Sequence, residues 1–281
     1  MNATAASPED HNRQKKAAVV NDFTSFGRCS LAVSIPILSA MKVQCCPVPT
    51  AFFTNHTGFD SYAWTDNTPN LDGYIEQWLR LGLRFSAIQT GFLGSAAQVG
   101  FVKRFIEAFG RDGAIICVDP VMGDYGKLYA TYDEELAEGM RDFLDIADIL
   151  TPNLTEACHL AQVPYRTDYG DAQLADICRR LARHARKIVV SGIPRGDSLV
   201  NFIYDGGGIS QCVEPRVGGD RSGTGDVFAS VILGDAVNGA DFAQSVAKAS
   251  AFTARAVAKS AAMGIPPHDG LAIEETLLEL A

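Results

Sequence analysis

The chain has 281 residues, 47% of them hydrophobic, and a formal net charge of −9. That length and apolar content suffice for a substantial core, while the acidic balance and the lack of any Lys/Arg-rich run exclude a basic face that grips nucleic acid or an anionic membrane. Seven cysteines, odd in number and set mostly in apolar segments, fit reduced thiols better than a disulfide framework, and no CxxC pair suggests a zinc site.

Residues 1–16 read as a disordered tail preceding a single domain at 17–281. With no apolar run of about 18 residues, neither secretion nor a membrane span is indicated, and the expected compartment is the cytoplasm. Short apolar runs at 17–22, 86–91, 114–119, 148–150 and 187–192 predict strands, several buried on both faces. Helical patterns lie between them at 71–82, 95–110, 133–145 and 171–185, and Pro36 inside "CSLAVSIPILSAM" predicts a kink or a restart. This alternation predicts βαβ units, hence a three-layer α/β sandwich with a mostly parallel sheet. After residue 192 the pattern changes to a hairpin, 198–205 and 208–215, turned at Gly206, Gly207 and Gly208. Helices at 224–238 and 241–262 follow, then a short one near 271–280.

Unusual residues gather where strands end: "NDFTSFGR", "TGFLGS", "DPVMGDYGKLY" and "TPNLTEA". Ligands of an open parallel sheet bind beyond the carboxyl ends of its strands, so four polar loops on one edge predict one site. A fifth loop, "RSGTGD" (221–226), meets an apolar helix. Gly223 and Gly225 allow the backbone to aim its N–H groups at one point, and the helix start adds its dipole, which makes an anion cradle. Asp226 in the first turn stabilises a helix N-terminus in any protein. Beside a bound phosphate, however, a carboxylate is unfavourable unless it accepts a proton from an attacking hydroxyl. No GxxxxGK[ST] motif is present. Asp119 and Asp124 in "DPVMGD", with Asn153 and Glu156 in "TPNLTEA", supply hard oxygen atoms that suit Mg²⁺ on nucleotide phosphates. Asn153 and Glu156 equally form a capping box, and the two roles are compatible.

In this order and spacing, "DPVMGDYGKLY", "TPNLTEA" and "GTGD" resemble the ribokinase-like superfamily, and "FFTNHTG" (52–58), "TGFLGS" and "NDFTSFGRCS" narrow the resemblance to its pyridoxal kinase group. The similarity covers about residues 17–262. It implies ATP-dependent phosphorylation of the 5'-hydroxymethyl group of a vitamin B6 vitamer. Asp226 would be the base, and Gly223, Thr224 and Gly225 the anion hole. Asp119 and Glu156 would organise Mg²⁺, largely through water, and the resemblance also admits K⁺. Asp124, Thr151, Asn153, Ser191 and Gly192 would line the nucleotide side. Thr57 would contact the ring substituents, with Phe53 and Phe92 as walls, although by residue type both aromatics could equally be core. His56 reads as a structural hydrogen-bonder and Cys29 as packing. The resemblance further implies a homodimer.

Asp22 stands where relatives often carry a serine facing the ring, so it would favour a protonated ring nitrogen or a charged amine. Arg221 could offset charge on ATP or simply be a solvated loop arginine. Rivals are a hydroxymethylpyrimidine kinase, whose members tend to carry cysteine in place of Asp226, a sugar kinase of the same fold, and a non-catalytic vitamer- or nucleotide-binding protein.

Overall fold

Alternate burial along the first strand sets the architecture. In β1 (Lys16–Thr24), Ala17 and Val19 join one hydrophobic cluster while Ala18 and Val20 join another, as the period of two requires of a strand covered on both faces. The computed structural model describes residues 10–129 and 132–281.

The remaining strands are β2 (Gln44–Phe53), β3 (Trp64–Asp66), β4 (Ala87–Thr90), β5 (Ile115–Val118), β6 (Gly123–Asp124), β7 (Lys127–Leu128), β8 (Ile149–Leu150), β9 (Lys187–Arg195), β10 (Ser198–Asp205) and β11 (Gly208–Pro215). Of the eleven strands among the described residues, nine form a sheet ordered β11-β10-β9-β8-β5-β4-β1-β2-β3, and β6 pairs with β7 in a separate ribbon. Pairing is parallel from β9 through β2 and antiparallel at both edges. Helices α1 (Leu31–Ala40), α7 (Thr224–Asn238) and α8 (Phe242–Ala262) pack on the face of Ala17 and Val19. Helices α2 (Asp72–Arg80), α3 (Ala96–Phe109), α4 (Glu134–Asp142), α5 (Leu154–Leu160) and α6 (Asp171–Leu181) cover the other face. The expected three-layer α/β sandwich is present.

Several details differ from the sequence-based expectations. Of the tail expected at 1–16, residues 1–9 lie outside the described residues, while 10–15 include an anchor: Asn12 donates through Nδ2 to the Gly82 carbonyl at 2.9 Å and accepts at Oδ1 from the Arg84 N–H at 2.8 Å. Helix α1 runs through Pro36 without a restart. Strand β2 escapes pattern reading because Pro47 and Pro49 interrupt it; both are tolerated because β3 pairs only with Ala51 to Phe53, leaving the prolines a neighbour on one side alone. The helix expected near 271–280 is two 3₁₀ turns, Ile273–Glu275 and Leu277–Leu280.

Phe101, Phe105 and Phe109 repeat every four residues of α3 and form one apolar stripe. Phe105 lies 4.8 Å from the Phe109 ring, 5.7 Å from Phe101 and 5.9 Å from Trp78. Replacing it with alanine is expected to destabilise the chain by about 3–5 kcal/mol, read as a lower urea midpoint at an unchanged slope.

Candidate active site

The order of the sheet reverses between β1 and β4: successive crossovers proceed to one side from β1 to β2 and to the other from β4 onward. The carboxyl ends of these two strands therefore flank the crevice of an open α/β sheet. A cavity of about 780 Å³ lies there, and all fifteen predicted site residues line it: Asp22, Phe53, Thr57, Phe92, Asp119, Asp124, Thr151, Asn153, Glu156, Ser191, Gly192, Gly223, Thr224, Gly225 and Asp226.

On one side of the crevice, the pairing of β1 with β2 slips between Asn21 and Phe23, an irregularity of the kind that re-aims side chains beside sites. Asp22 is buried there, and both of its carboxylate oxygens accept hydroxyl donors at 2.6 Å, from Thr24 and from Ser30. Burial raises its pKa against these two bonds. Phe53 stacks on Trp64 at 5.6 Å and meets Phe92 edge-on at 6.1 Å, which makes an aromatic wall. His56 accepts at Nδ1 from the Gly58 N–H at 3.1 Å, which leaves Nε2 to donate to the His268 carbonyl at 2.7 Å. Cys29 is buried and its thiol is pushed up to about 12, so it stays neutral.

The anion loop sits opposite. Gly223 caps α7 in the left-handed conformation with φ 80°, and Asp226 lies in the first turn. Asp226 is half-buried; desolvation pushes its carboxyl up to about 6, and Asp22 adds to the effect, against bonds from the Ser30 N–H and the Asn21 amide. Beyond it, Asp119 directly follows β5 and accepts from the Thr151 hydroxyl at 3.0 Å. Glu156 accepts from the N–H groups of Asn153 at 2.8 Å and Met122 at 3.1 Å. Asn153 and Glu156 do form a complete capping box on α5, and the Asn153 amide also donates to the Gly123 carbonyl at 2.8 Å, tying the β6–β7 ribbon to the site. Asp119 and Glu156 both rise well above the ordinary carboxylate range. For each the main cause is burial; the Asp226 charge adds to it for Asp119, and Asp119 adds to it for Glu156.

Among the described residues, no three His, Cys, Asp or Glu side chains converge to hold a metal by themselves. Two buried, mutually repelling carboxylates nevertheless suit a divalent cation that takes its other ligands from water and phosphate oxygens. At the positions expected to line the nucleotide side, Gly192 is left-handed at φ +66° and its N–H donates to the Asn201 side chain at 2.9 Å, while the Ser191 N–H donates to the Pro152 carbonyl at 2.9 Å.

Pattern reading assigned no role to three contributors, and the first is Asn21, which opens the "NDFTSFGR" stretch but still lies inside strand β1. The second is the loop at 265–270, remote in sequence, whose His268 lines the cavity. The third is the job of Arg221, which lines the cavity and is tied to backbone carbonyls instead of being a solvated loop arginine. Its guanidinium donates to the carbonyls of Ile265 at 2.9 Å, Pro266 at 3.3 Å and Gly270 at 3.5 Å, so it latches that loop to the anion loop. Arg28 secures the loop that follows β1 to the same segment through the Asp269 carbonyl at 3.1 Å and Glu274 at 2.9 Å.

Comparison with known proteins gives a consistent result. A family model described as phosphomethylpyrimidine kinase matches residues 35–269. A Bacteroides thetaiotaomicron protein provisionally described as a phosphomethylpyrimidine kinase superposes with a TM-score of 0.94 at 34% identity, covering 96% of this chain and 95% of that one. Its orthorhombic crystal form, with pyridoxal, gives a TM-score of 0.90. Pyridoxal kinase from Lactobacillus plantarum superposes at 0.87 with 28% identity, covering 95% and 96% of the two chains. Pyridoxal kinase PdxY of Deinococcus radiodurans is 28% identical over 234 residues, 76% of each chain.

Proposed function

The chain belongs to the phosphomethylpyrimidine kinase family, and we propose that this kinase transfers the γ-phosphoryl group of ATP to the 5'-hydroxymethyl group of a vitamin B6 vitamer. The observation that carries the reading is one cavity holding an aromatic-walled pocket, an anion loop with Asp226 at its helix start, and the buried Asp119–Glu156 pair. Pyridoxal in the Bacteroides thetaiotaomicron relative supports the vitamer as the acceptor.

Phosphoryl transfer needs positioning and charge stabilisation more than covalent chemistry. Phe53 and Phe92 hold the ring, and Thr57 meets its polar substituents. Asp226 takes the proton of the attacking hydroxyl as the N–H groups of Gly223, Thr224 and Gly225 receive the charge developing on the phosphoryl oxygens. Asp124, Thr151, Asn153, Ser191 and Gly192 line the nucleotide side. Asp119 and Glu156 would hold Mg²⁺ mostly through water, and the ion, when bound, neutralises phosphate charge. The reading extends to K⁺ as an activator and to a homodimer, for which exposed Tyr62 and Trp64 beside the edge strand β3 offer an apolar face. Free cysteines at all seven positions support a reducing cytoplasm, and no helix among the described residues is long and apolar enough to cross a membrane.

A second reading, a hydroxymethylpyrimidine kinase, is favoured by the description of the matching family. ADP release measured in parallel with pyridoxal, pyridoxine, pyridoxamine and hydroxymethylpyrimidine separates the two. Turnover on the pyrimidine alone overturns the vitamer assignment. In the same assay Asp22→Ser is expected to lower kcat/KM for pyridoxamine relative to pyridoxal about 10-fold, since one ionic hydrogen bond to the amine is worth roughly that factor. An unchanged ratio removes Asp22 from vitamer choice.

A further inference from the structure

We propose that Asn21 is a positioning residue that orients Asp226 for proton abstraction, an inference that rests on the kinase reading above. Asn21 is the last residue of β1 before the pairing with β2 slips, one position past the final β1–β4 pair Val20↔Thr90, so it stands at the switch point itself. It is almost wholly buried, at 2% exposure. Its Oδ1 accepts from the N–H of Asp22 at 2.9 Å and from the N–H of Phe92 at 2.8 Å. Only the oxygen of the amide can accept two N–H donors, so these bonds decide which end is which. Nδ2 is thereby aimed at Asp226, donating to Oδ1 at 3.1 Å.

Room for this arrangement is built into the neighbouring strand end. A Cβ added to Gly91 would lie 2.4 Å from Asn21 Cγ, so any larger residue there would displace the amide. The side chain thus links three parts of the site: the Asp22 loop, the Phe92 wall and the base. A carboxylate on the first turn of a helix can rotate about its last bond. The Asn21 amide holds one oxygen of Asp226, leaving the remaining lone pairs to the substrate hydroxyl. The titratable groups that Asp226 faces are Asp22, Asp119, Tyr129 and the Cys29 thiol. Each of these is neutral or negative, so a neutral donor such as Asn21 orients the base without quenching it.

A purely structural reading would have Asn21 do no more than satisfy two backbone N–H groups. Asn21→Asp separates the two: it keeps the shape and both acceptor bonds, and it replaces the donor toward Asp226 with a second carboxylate oxygen, a change of charge that the second variant controls for. In the ADP-release assay, with folding checked by near-UV circular dichroism and MgADP binding, kcat is expected to fall about 100-fold while KM for ATP and for the alcohol stays within about threefold. The deficit should narrow as pH rises from about 6 to 9, because the proton shared by the new carboxylate pair leaves. Asn21→Ser, which introduces no charge and keeps a shorter donor, is the second variant, with an expected loss of about 10-fold in kcat. A kcat within about twofold of wild type in either folded variant, or a loss confined to KM, overturns the proposal. Both ratios are taken on whichever alcohol the wild type accepts, or on water as slow ATP hydrolysis. A wild type that phosphorylates no B6 vitamer therefore refutes the vitamer reading while still deciding the role of Asn21.

Discussion

Asp226→Asn is expected to cut turnover by about 10²- to 10⁴-fold, the range of a general base, while MgATP binding stays near that of the wild type. The substitution keeps the size of the side chain and its place at the start of α7, and removes only the capacity to accept a proton. Isothermal titration with MgATP and the ADP-release assay measure the two halves; near-normal turnover would remove Asp226 from the chemistry. With its carboxyl pushed up to about 6, the wild type should lose kcat/KM as pH falls through that value, since the base must be ionised to act. Stability moves the opposite way. The folded-state pKa lies above that of the unfolded chain, so the folded protein bears the desolvation cost of the charge at pH 8, sheds it as pH falls through 6, and bears none below about 4, where both states are protonated. The asparagine variant, which never carries the charge, should therefore melt a few degrees above the wild type at pH 8, with the gap closing toward pH 4. After discounting for the water that reaches this half-buried group, the gain is about 1–2 kcal/mol.

Gly223→Ala is expected to be the second most damaging change. The residue is left-handed at φ +80°, and a Cβ there would sit 2.1 Å from the Arg28 carbonyl oxygen, a backbone atom of the loop that follows β1. Left-handed alanine alone costs about 1–2 kcal/mol. The clash adds to this because neither loop can give way: Arg221 and Arg28 pin both to the same C-terminal segment. Turnover is expected to drop by about 100-fold or more, together with a fall in Tm by about 4–10 °C. An alanine variant with wild-type turnover would mean that the anion loop adapts to the added methyl group.

The strands and helices that were legible are those whose burial follows one period. The parallel core strands read as continuous apolar runs, and α7 and α8 lie close to where composition placed them. Strand β2 was hidden because its prolines are permitted only by a missing neighbour, which is a property of the sheet and not of the segment. The loops that line the cavity were legible because glycine, Asp-Pro and capping-box residues are uncommon in that combination. The stretch opened by Asn21 was legible but the job of Asn21 was not, since its meaning arises from Phe92 and Asp226, about 70 and 205 positions away. The structural ties of Arg221 were hidden for the same reason, its partners being three carbonyl groups that no side-chain pattern reveals.

The clasp formed by residues 265–274 over both substrate-side loops has a bearing on biosynthesis. Of all the residues that line the cavity, Pro267 and His268 are the last to be made. A nascent chain can lay down the sheet, α7 and α8 before this segment emerges, but the two loops stay unclasped until it does. Ligand capture should therefore lag behind formation of the core, and chains ending at residue 264, displayed on ribosomes through a linker long enough to clear the exit tunnel, should already resist proteases across β1 to β9 yet fail to retain vitamer.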